Sequence, residues 1–270
     1  MGVDETDGND QRDQTKPTVL PGYFAADLLS HSARVLIGVC TYNESTNVRE
    51  MTRRLRGALP DADVLYIDDN SPDGTADLVR EISESDSKVR LIVRTQERGL
   101  GGAILRAAVQ SVTDNYDFFI NLDGDLSHDP AELPLLLNKA IENPQVDVVV
   151  GSRYTAGGKI VGWPLRRRMM SRFVNRFATL CLRLPVSDCS GSMRCYRVAA
   201  LKRLDLESLK CRGYALLEEL LVKLKHQGSE MAEVPITFTE RQHGESKLTI
   251  SEAVRSMTFM MKLAVTSKRG

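Results

Sequence analysis

Short apolar runs alternate with amphipathic stretches along most of the chain, and the alternation predicts its elements. Arg34 to Cys40 reads as a buried strand, Thr41-Tyr42-Asn43-Glu44 as the turn after it, and the stretch from about Asn47 to Leu59 as a helix. Val64 to Ile67 predicts a second strand, ending in Asp68-Asp69-Asn70-Ser71-Pro72-Asp73-Gly74-Thr75, with a helix through Ile82. Val89 to Val93 is a third strand, Gly99-Leu100-Gly101-Gly102 opens a helix through Val109, and Phe118 to Leu122 is a fourth strand. Val146 to Val150 follows as a fifth. Ser187 to Tyr196 reads as a polar loop entering another strand, Gly213 to Gly228 as a leucine-rich helix, and Val234 to Phe238 as a late strand. Strand and helix alternating with short links predict a single α/β domain, an open, mostly parallel, Rossmann-like sheet with helices on both faces. In such sheets ligands bind beyond the carboxyl ends of the strands.

The polar residues fall where that rule wants them. Tyr42, Asn43 and Glu44 follow the first strand, Asp68 and Asp69 the second, Asp123 and Asp125 the fourth. Asp123-Gly124-Asp125 delivers two carboxylates at the end of an apolar run, and Mg²⁺ or Mn²⁺ is held by one or two carboxylates plus phosphate oxygens. The plainer reading is a strand followed by an acidic turn. Gly99 to Gly102 lacks both the dinucleotide spacing and the phosphate-loop lysine, so it reads as close helix packing. Glu218 and Glu219 stand near the start of the leucine-rich helix, where the helix dipole favours carboxylates.

Charge changes the picture locally. The 36 basic and 36 acidic residues balance, so no global field points to nucleic acid. From Val148 through Ser187, however, there is no acid, while Arg153, Lys159, Arg166, Arg167, Arg168, Arg172, Arg176 and Arg183 all fall inside. Met169, Met170, Phe173, Val174, Phe177, Ala178 and Cys181 share that stretch at helical spacing. A basic amphipathic helix suits an anionic lipid surface; the alternative is a core-facing helix with a solvated basic side. No run reaches the roughly 18 apolar residues of a membrane span, so membrane contact is expected to be peripheral or through a small anchoring subunit. Cys40, Cys181, Cys189, Cys195 and Cys211 are odd in number and lack metal-ligand spacing, which suits reduced thiols in the cytosol. The expected layout is a disordered polar tail over 1–30, a domain over 31–250, and a C-terminal amphipathic helix and tail over 251–270.

Together these segments resemble the GT-A-fold nucleotide-sugar glycosyltransferases, and more closely the dolichol-phosphate mannose synthase branch. The resemblance spans roughly Arg34 to Leu248. It rests on Thr-Tyr-Asn-Glu at 41–44, Ile-Asp-Asp-Asn-Ser-Pro-Asp-Gly-Thr at 67–75, Asp-Gly-Asp-Leu-Ser-His-Asp-Pro at 123–130, Gly-Ser-Arg-Tyr at 151–154, Gly-Trp-Pro-Leu-Arg-Arg-Arg at 162–168 and Glu-Arg-Gln-His-Gly-Glu-Ser-Lys-Leu at 240–248. It implies mannosyl transfer from GDP-mannose to a polyprenyl monophosphate with inversion, on the cytosolic face of a membrane, with Mg²⁺ or Mn²⁺. A UDP-sugar enzyme of the same fold and a silent nucleotide-binding scaffold subunit are the alternatives.

Carried onto this chain, the resemblance puts Cys40, Tyr42, Glu44, Ile67 and Asp69 on the guanosine half of the donor, with Asp123, Gly124 and Asp125 on its ribose, diphosphate and metal. Arg153, Arg241 and Lys247 hold donor and acceptor phosphates, and Arg167 with Ser171 sits on the acceptor phosphate. The metal positions are Asp123, Asp125 and Ser127, where Ser127 replaces a metal-binding Gln of some members and water takes that ligand's place. Cys40 stands where the family usually has Pro, and Gly124 where it usually has Ala, which is expected to loosen the turn. A polyprenyl monophosphate is already largely ionised near neutrality, with a second pKa of about 6, so its attack requires positioning and charge balance and no base. Glu219, matching a family acidic position, is then expected to orient or support.

Overall fold

The computed structural model describes residues 33–240, apart from 97, 210–212 and 214, together with 258 and 259. Its first strand, β1 (Val35–Thr41), is buried along its whole length, as expected of a central strand covered on both faces. The others of the main sheet are β2 (Asp63–Asp68), β3 (Val89–Val93), β4 (Phe118–Asp123), β5 (Val146–Ser152), β7 (Arg194–Arg197) and β8 (Glu230–Pro235). They lie in the order β3-β2-β1-β4-β7-β5-β8. All neighbours are parallel except β7, which runs antiparallel between β4 and β5.

Successive side chains of a strand point to opposite faces, and β1 divides accordingly. Leu36 joins the apolar layer beneath α3 (Leu100–Thr113), α6 (Val198–Lys202) and α7 (Leu216–His226). Ile37 and Val39 join the layer beneath α1 (Val48–Ala58), α2 (Thr75–Ser85) and α4 (Leu133–Glu142). The expected open, mostly parallel sheet with helices on both faces is what the chain forms. Helix α4, with prolines at 130 and 134 introducing it, is an element the sequence pattern did not single out.

Two expectations need correction. Residues 234–238 do not form one strand: β8 ends at Pro235, and the chain crosses at Ile236 to β9 (Thr237–Thr239), which pairs with β6 (Lys159–Val161) in a separate small sheet. Ile236 makes the crossing by donating to the Ser152 carbonyl while its own carbonyl accepts from the Lys159 amide. The core-facing alternative for the basic helix also fails. In α5 (Leu165–Cys181), Leu165, Met169, Met170, Phe173, Phe177 and Leu180 are exposed, and the buried residues are Asn175, Ala178 and Thr179. The expected N-terminal tail lies outside the described residues, as does the C-terminal helix apart from Thr258 and Phe259. No described helix is long and apolar enough to cross a membrane.

Helix α3 approaches the sheet closely at Gly38, where an added Cβ would lie 2.8 Å from both the Ala107 Cβ and the Phe119 ring. Both neighbours are fully buried, so neither has room to withdraw. Gly38→Ala is therefore expected to destabilise the domain by about 1–3 kcal/mol, read as a lower urea midpoint with an unchanged slope.

Candidate active site

The carboxyl ends of β2, β1 and β4 lie side by side. Cys40 is in register with Ile67 on one flank and Asp123 on the other, so three residues expected on the donor share one line across the sheet. Burial raises the Cys40 thiol well above its usual range, and the Asp123 and Asp69 carboxylates add to that. Asp68 is fully buried and accepts from Thr41 Oγ1 at 2.9 Å and from the Ser71 amide and hydroxyl; it builds the turn. Asp69 accepts from Arg94 at 2.8 Å and from the Gly99 amide at 2.6 Å, which ties the end of β2 to the start of α3. The glycine cluster at 99 thus serves a site carboxylate as well as helix packing. Glu44 accepts from Asn47 at 2.7 Å, while its amide donates to Thr75 at the head of α2. Tyr42 is exposed.

The acidic turn is tightly built. Gly124 donates its amide to the Cys40 carbonyl at 3.2 Å, and a Cβ there would meet Thr41 Cγ2 at 2.8 Å and that carbonyl at 3.1 Å. Glycine does not loosen this turn; it lets the turn lie against β1. Asp125 is buried, and its Oδ1 accepts from the Ser127 amide at 3.0 Å and hydroxyl at 2.6 Å. Leu126 between them has φ +59°, a left-handed conformation that costs a residue with a Cβ roughly 1–2 kcal/mol. Asp123 accepts from Ser192 Oγ at 2.7 Å.

Arg153, at the end of β5, is buried and grips Asp188, with Nε 2.7 Å and one terminal nitrogen 2.9 Å from its two oxygens. Burial works against the Arg153 charge, but the Asp188 carboxylate outweighs it and raises the guanidinium pKa. Burial likewise works against the Asp188 charge, and Arg153 outweighs it and lowers the carboxyl. His128 lies within electrostatic reach of Asp125, Arg153 and Asp188, and the Arg153 guanidinium lies 5.4 Å from the centre of the Phe238 ring, which His128 also meets. Burial lowers it to about 4, so the imidazole is neutral near pH 7. Its ring meets Phe238 edge-on at 5.1 Å, and its two nitrogens have no hydrogen-bond partner among the described residues.

The remaining site positions spread along the basic helix and beyond it. Arg167 stacks over Trp163 at 4.0 Å and pairs with Glu240 at 2.6 Å, both ends partly exposed. Ser171 shares a 2.7 Å hydrogen bond with Tyr154, the neighbour of Arg153. Arg241 and Lys247 lie outside the described residues. Strand β9, which leads toward them, is joined to the acidic turn by the Thr239 amide donating to the Ser127 carbonyl at 2.9 Å.

Sequence reasoning passed over Asp188, Ser192 and Arg194, which it saw only as a polar loop entering a strand. The available signal was an arginine at a strand's first position, separated by one residue from Asp-Cys-Ser-Gly-Ser. Glu218 and Glu219 do open α7, as the dipole favours, but both are buried. The described residues contain no cluster of three or more His, Cys, Asp or Glu arranged for a metal.

Residues 36–205 match glycosyl transferase family 2. Over 228 residues the chain is 38% identical to the undecaprenyl-phosphate mannosyltransferase of Micrococcus luteus, covering 83% of this chain and 93% of that one. Over 225 residues it is 35% identical to the polyprenol monophosphomannose synthase of Mycolicibacterium smegmatis, covering 83% and 84%. Among solved structures, glucosyl-3-phosphoglycerate synthase from Mycobacterium tuberculosis, crystallised with Mn²⁺, UDP and phosphoglyceric acid, superposes with a TM-score of 0.62 at 16% identity, covering 93% of this chain and 83% of that one. That likeness is one of fold.

Glu218 makes the packing beneath the site sensitive to pH. Burial pushes its carboxyl from 4.5 up to about 7, against the pull of Arg194, and its Oε2 has no hydrogen-bond partner among the described residues. The folded state therefore holds this proton more tightly than the unfolded chain does, so its contribution to stability falls as pH rises from about 4.5 and levels off above about 7. Glu218→Gln removes the titration. Melting curves at pH 5 and pH 8 are expected to show a smaller loss at pH 8 for the variant than for the natural protein, by several degrees.

Proposed function

The chain belongs to glycosyl transferase family 2, and from that premise we propose that it transfers mannose from GDP-mannose to a polyprenyl monophosphate, inverting the anomeric centre. The observation that carries the proposal is the approach of the carboxylate turn, through His128, and of the buried Arg153 to the same Phe238 ring, at 5.1 and 5.4 Å from its centre, an arrangement suited to a cation-bound diphosphate facing a second phosphate. The names of the two bacterial relatives support the mannosyl and polyprenyl-phosphate parts. GDP-mannose as donor rests on the sequence resemblance.

Among the described residues no third His, Cys, Asp or Glu joins the two carboxylates, a set that fits Mg²⁺ or Mn²⁺, which complete their shell with substrate phosphates and water. Asp123 and Asp125, with the Ser127 hydroxyl beside them, would hold it. Such a cation neutralises charge building on a departing nucleoside diphosphate. Cys40, Tyr42, Glu44, Ile67 and Asp69 line the nucleoside side. Arg153 and Arg167, joined by Arg241 and Lys247, draw the acceptor phosphate toward the anomeric carbon, with Ser171 as a hydrogen-bonding neighbour. The phosphate arrives ionised, so the chain contributes orientation and charge balance, and buried Glu219 supports.

The acceptor is a lipid, and α5 fits a peripheral role at its membrane. It exposes Met169, Met170 and Phe173 together with Arg166 and Arg172. Reversing the charge of Arg166, Arg168 and Arg172 together is expected to abolish flotation with anionic liposomes and leave neutral ones unaffected.

Counting radiolabelled mannose in the organic phase tests the chemistry. Asp125→Ala is expected to abolish transfer, and Arg167→Ala to raise KM for the lipid phosphate about tenfold with less effect on kcat. Wild-type rates in both variants would remove the proposal. Stabilisation by GDP and Mn²⁺, against UDP or dTDP, reads the donor base as a rise in melting temperature.

A further inference from the structure

The two halves of the site come from the ends of different strands, Asp123 from the last position of β4 and Arg153 from the position after β5, and β7 separates those strands in the sheet. A single short segment spans the gap. Asp188 at its start accepts from the Arg153 side chain at 2.7 and 2.9 Å and from the Arg153 amide at 3.1 Å. Ser192 near its end donates to Asp123 Oδ2 at 2.7 Å. The segment is itself fixed at both edges. The Ser192 carbonyl accepts from the fully buried Asn121, two residues before Asp123 on β4, at 3.0 Å. The Met193 carbonyl accepts from the Gly151 amide on β5 at 2.9 Å. Beneath it, the fully buried Arg194 donates to the Gly191 carbonyl at 2.8 Å, to the Cys189 carbonyl at 2.5 Å and to the Leu217 carbonyl of α7 at 2.6 Å.

We propose that residues 188–194 form a positioning loop which holds the cation-side carboxylate and the phosphate-side guanidinium in register, with Ser192 orienting Asp123 and Asp188 orienting Arg153. Neither residue is given contact with substrate; each acts through the charged group it holds. The inference rests on the reading of Asp123 as a cation ligand and Arg153 as a phosphate ligand. Its content beyond that reading is a division of labour. A hydroxyl bonded to one carboxylate oxygen limits rotation of the Asp123 side chain. A carboxylate that receives both edges of the guanidinium fork and the amide of the same residue locks Arg153 in one rotamer. Displacements of about 1 Å at such groups are enough to cost about a hundredfold in rate, so a loop anchored to both strands and to α7 has a defined task.

The test reads the two halves separately. Mn²⁺ binding in the presence of GDP is measured by the electron paramagnetic resonance signal of free Mn²⁺, and KM for a polyprenyl phosphate by mannose transfer. Ser192→Ala leaves the loop's backbone bonds in place. It is expected to weaken Mn²⁺ binding about tenfold, the size of one charge-assisted hydrogen bond, with melting temperature and acceptor KM near wild type. Asp188→Asn keeps the shape and removes the charge. It is expected to raise acceptor KM about tenfold with Mn²⁺ affinity near wild type. The crossed pattern supports the proposal, because general loosening of the fold would move both readouts in both variants. Unchanged Mn²⁺ affinity in Ser192→Ala, or parallel changes in both variants, overturns it. Should Asp188→Asn melt below the assay temperature, the Ser192→Ala arm decides alone. A wild-type protein that fails to bind Mn²⁺ with GDP would instead sink the assignment of Asp123, and one that binds it without using a polyprenyl phosphate would sink the acceptor.

Discussion

The arrangement of the site depends on one buried ion pair. Arg153 and Asp188 are almost wholly withdrawn from solvent, and such a pair is stabilising only when its geometry and remaining hydrogen bonds are nearly complete. Here they are. Asp188 accepts from the Arg153 side chain and amide and from the amides of Ser190 and Gly191, while Arg153 also donates to the Ser190 hydroxyl. Well-packed apolar residues often replace such a pair with no loss of stability. Its presence at the end of β5, beside the acidic turn, therefore fits the demands of a phosphate site better than those of the core.

Strain and close packing concentrate at the same edge of the sheet. Leu126 occupies a left-handed conformation between two residues that bond to each other, and Gly124 lies against β1 with no space for a Cβ. Strain of this kind persists only where the surroundings over-determine it. The Ser127 bonds to Asp125, the Gly124 bond to Cys40 and the Thr239 bond to Ser127 supply that constraint. The strained turn also joins the main sheet to the small β6–β9 sheet, so both sheets share responsibility for aiming Asp125.

Much of this was legible in the chain. Buried parallel strands produce uninterrupted apolar runs, and β1, β2 and β4 announced both themselves and the carboxylates at their ends. Legibility failed where partners are distant in sequence. Asp188 and Arg153 are 35 residues apart, and Ser192 and Asp123 are 69 apart; no local period encodes either contact. The antiparallel placement of β7 is equally hidden, because a four-residue strand looks the same in either direction. The late strand misled for a related reason. Val234 to Phe238 is an apolar stretch with strand propensity throughout, and its division between two sheets arises from the pairing of Ile236 with Ser152 and Lys159. For α5, helical spacing revealed an apolar stripe, but spacing alone does not say whether a stripe faces protein or something else.

Helix α5 links that last ambiguity to the chemistry. Its outward stripe is apolar, and its inward face sets polar contacts beside the core residue Ala178: Asn175 donates to the Ser187 carbonyl and accepts from the Cys189 amide, on either side of Asp188. Ser171, one turn earlier, bonds to Tyr154 beside Arg153, and the Arg153 guanidinium lies 5.2 Å from the centre of the Tyr154 ring. A helix held to the domain mainly by its apolar stripe would spend that stripe on the core. This one spends only Ala178 on the core and adds hydrogen bonds to the segments that carry the ion pair, which leaves Met169, Met170, Phe173 and Phe177 facing outward. The element best suited to a lipid surface is thus fastened at the groups proposed to receive a lipid's phosphate, so docking the helix and presenting the phosphate become one geometric problem.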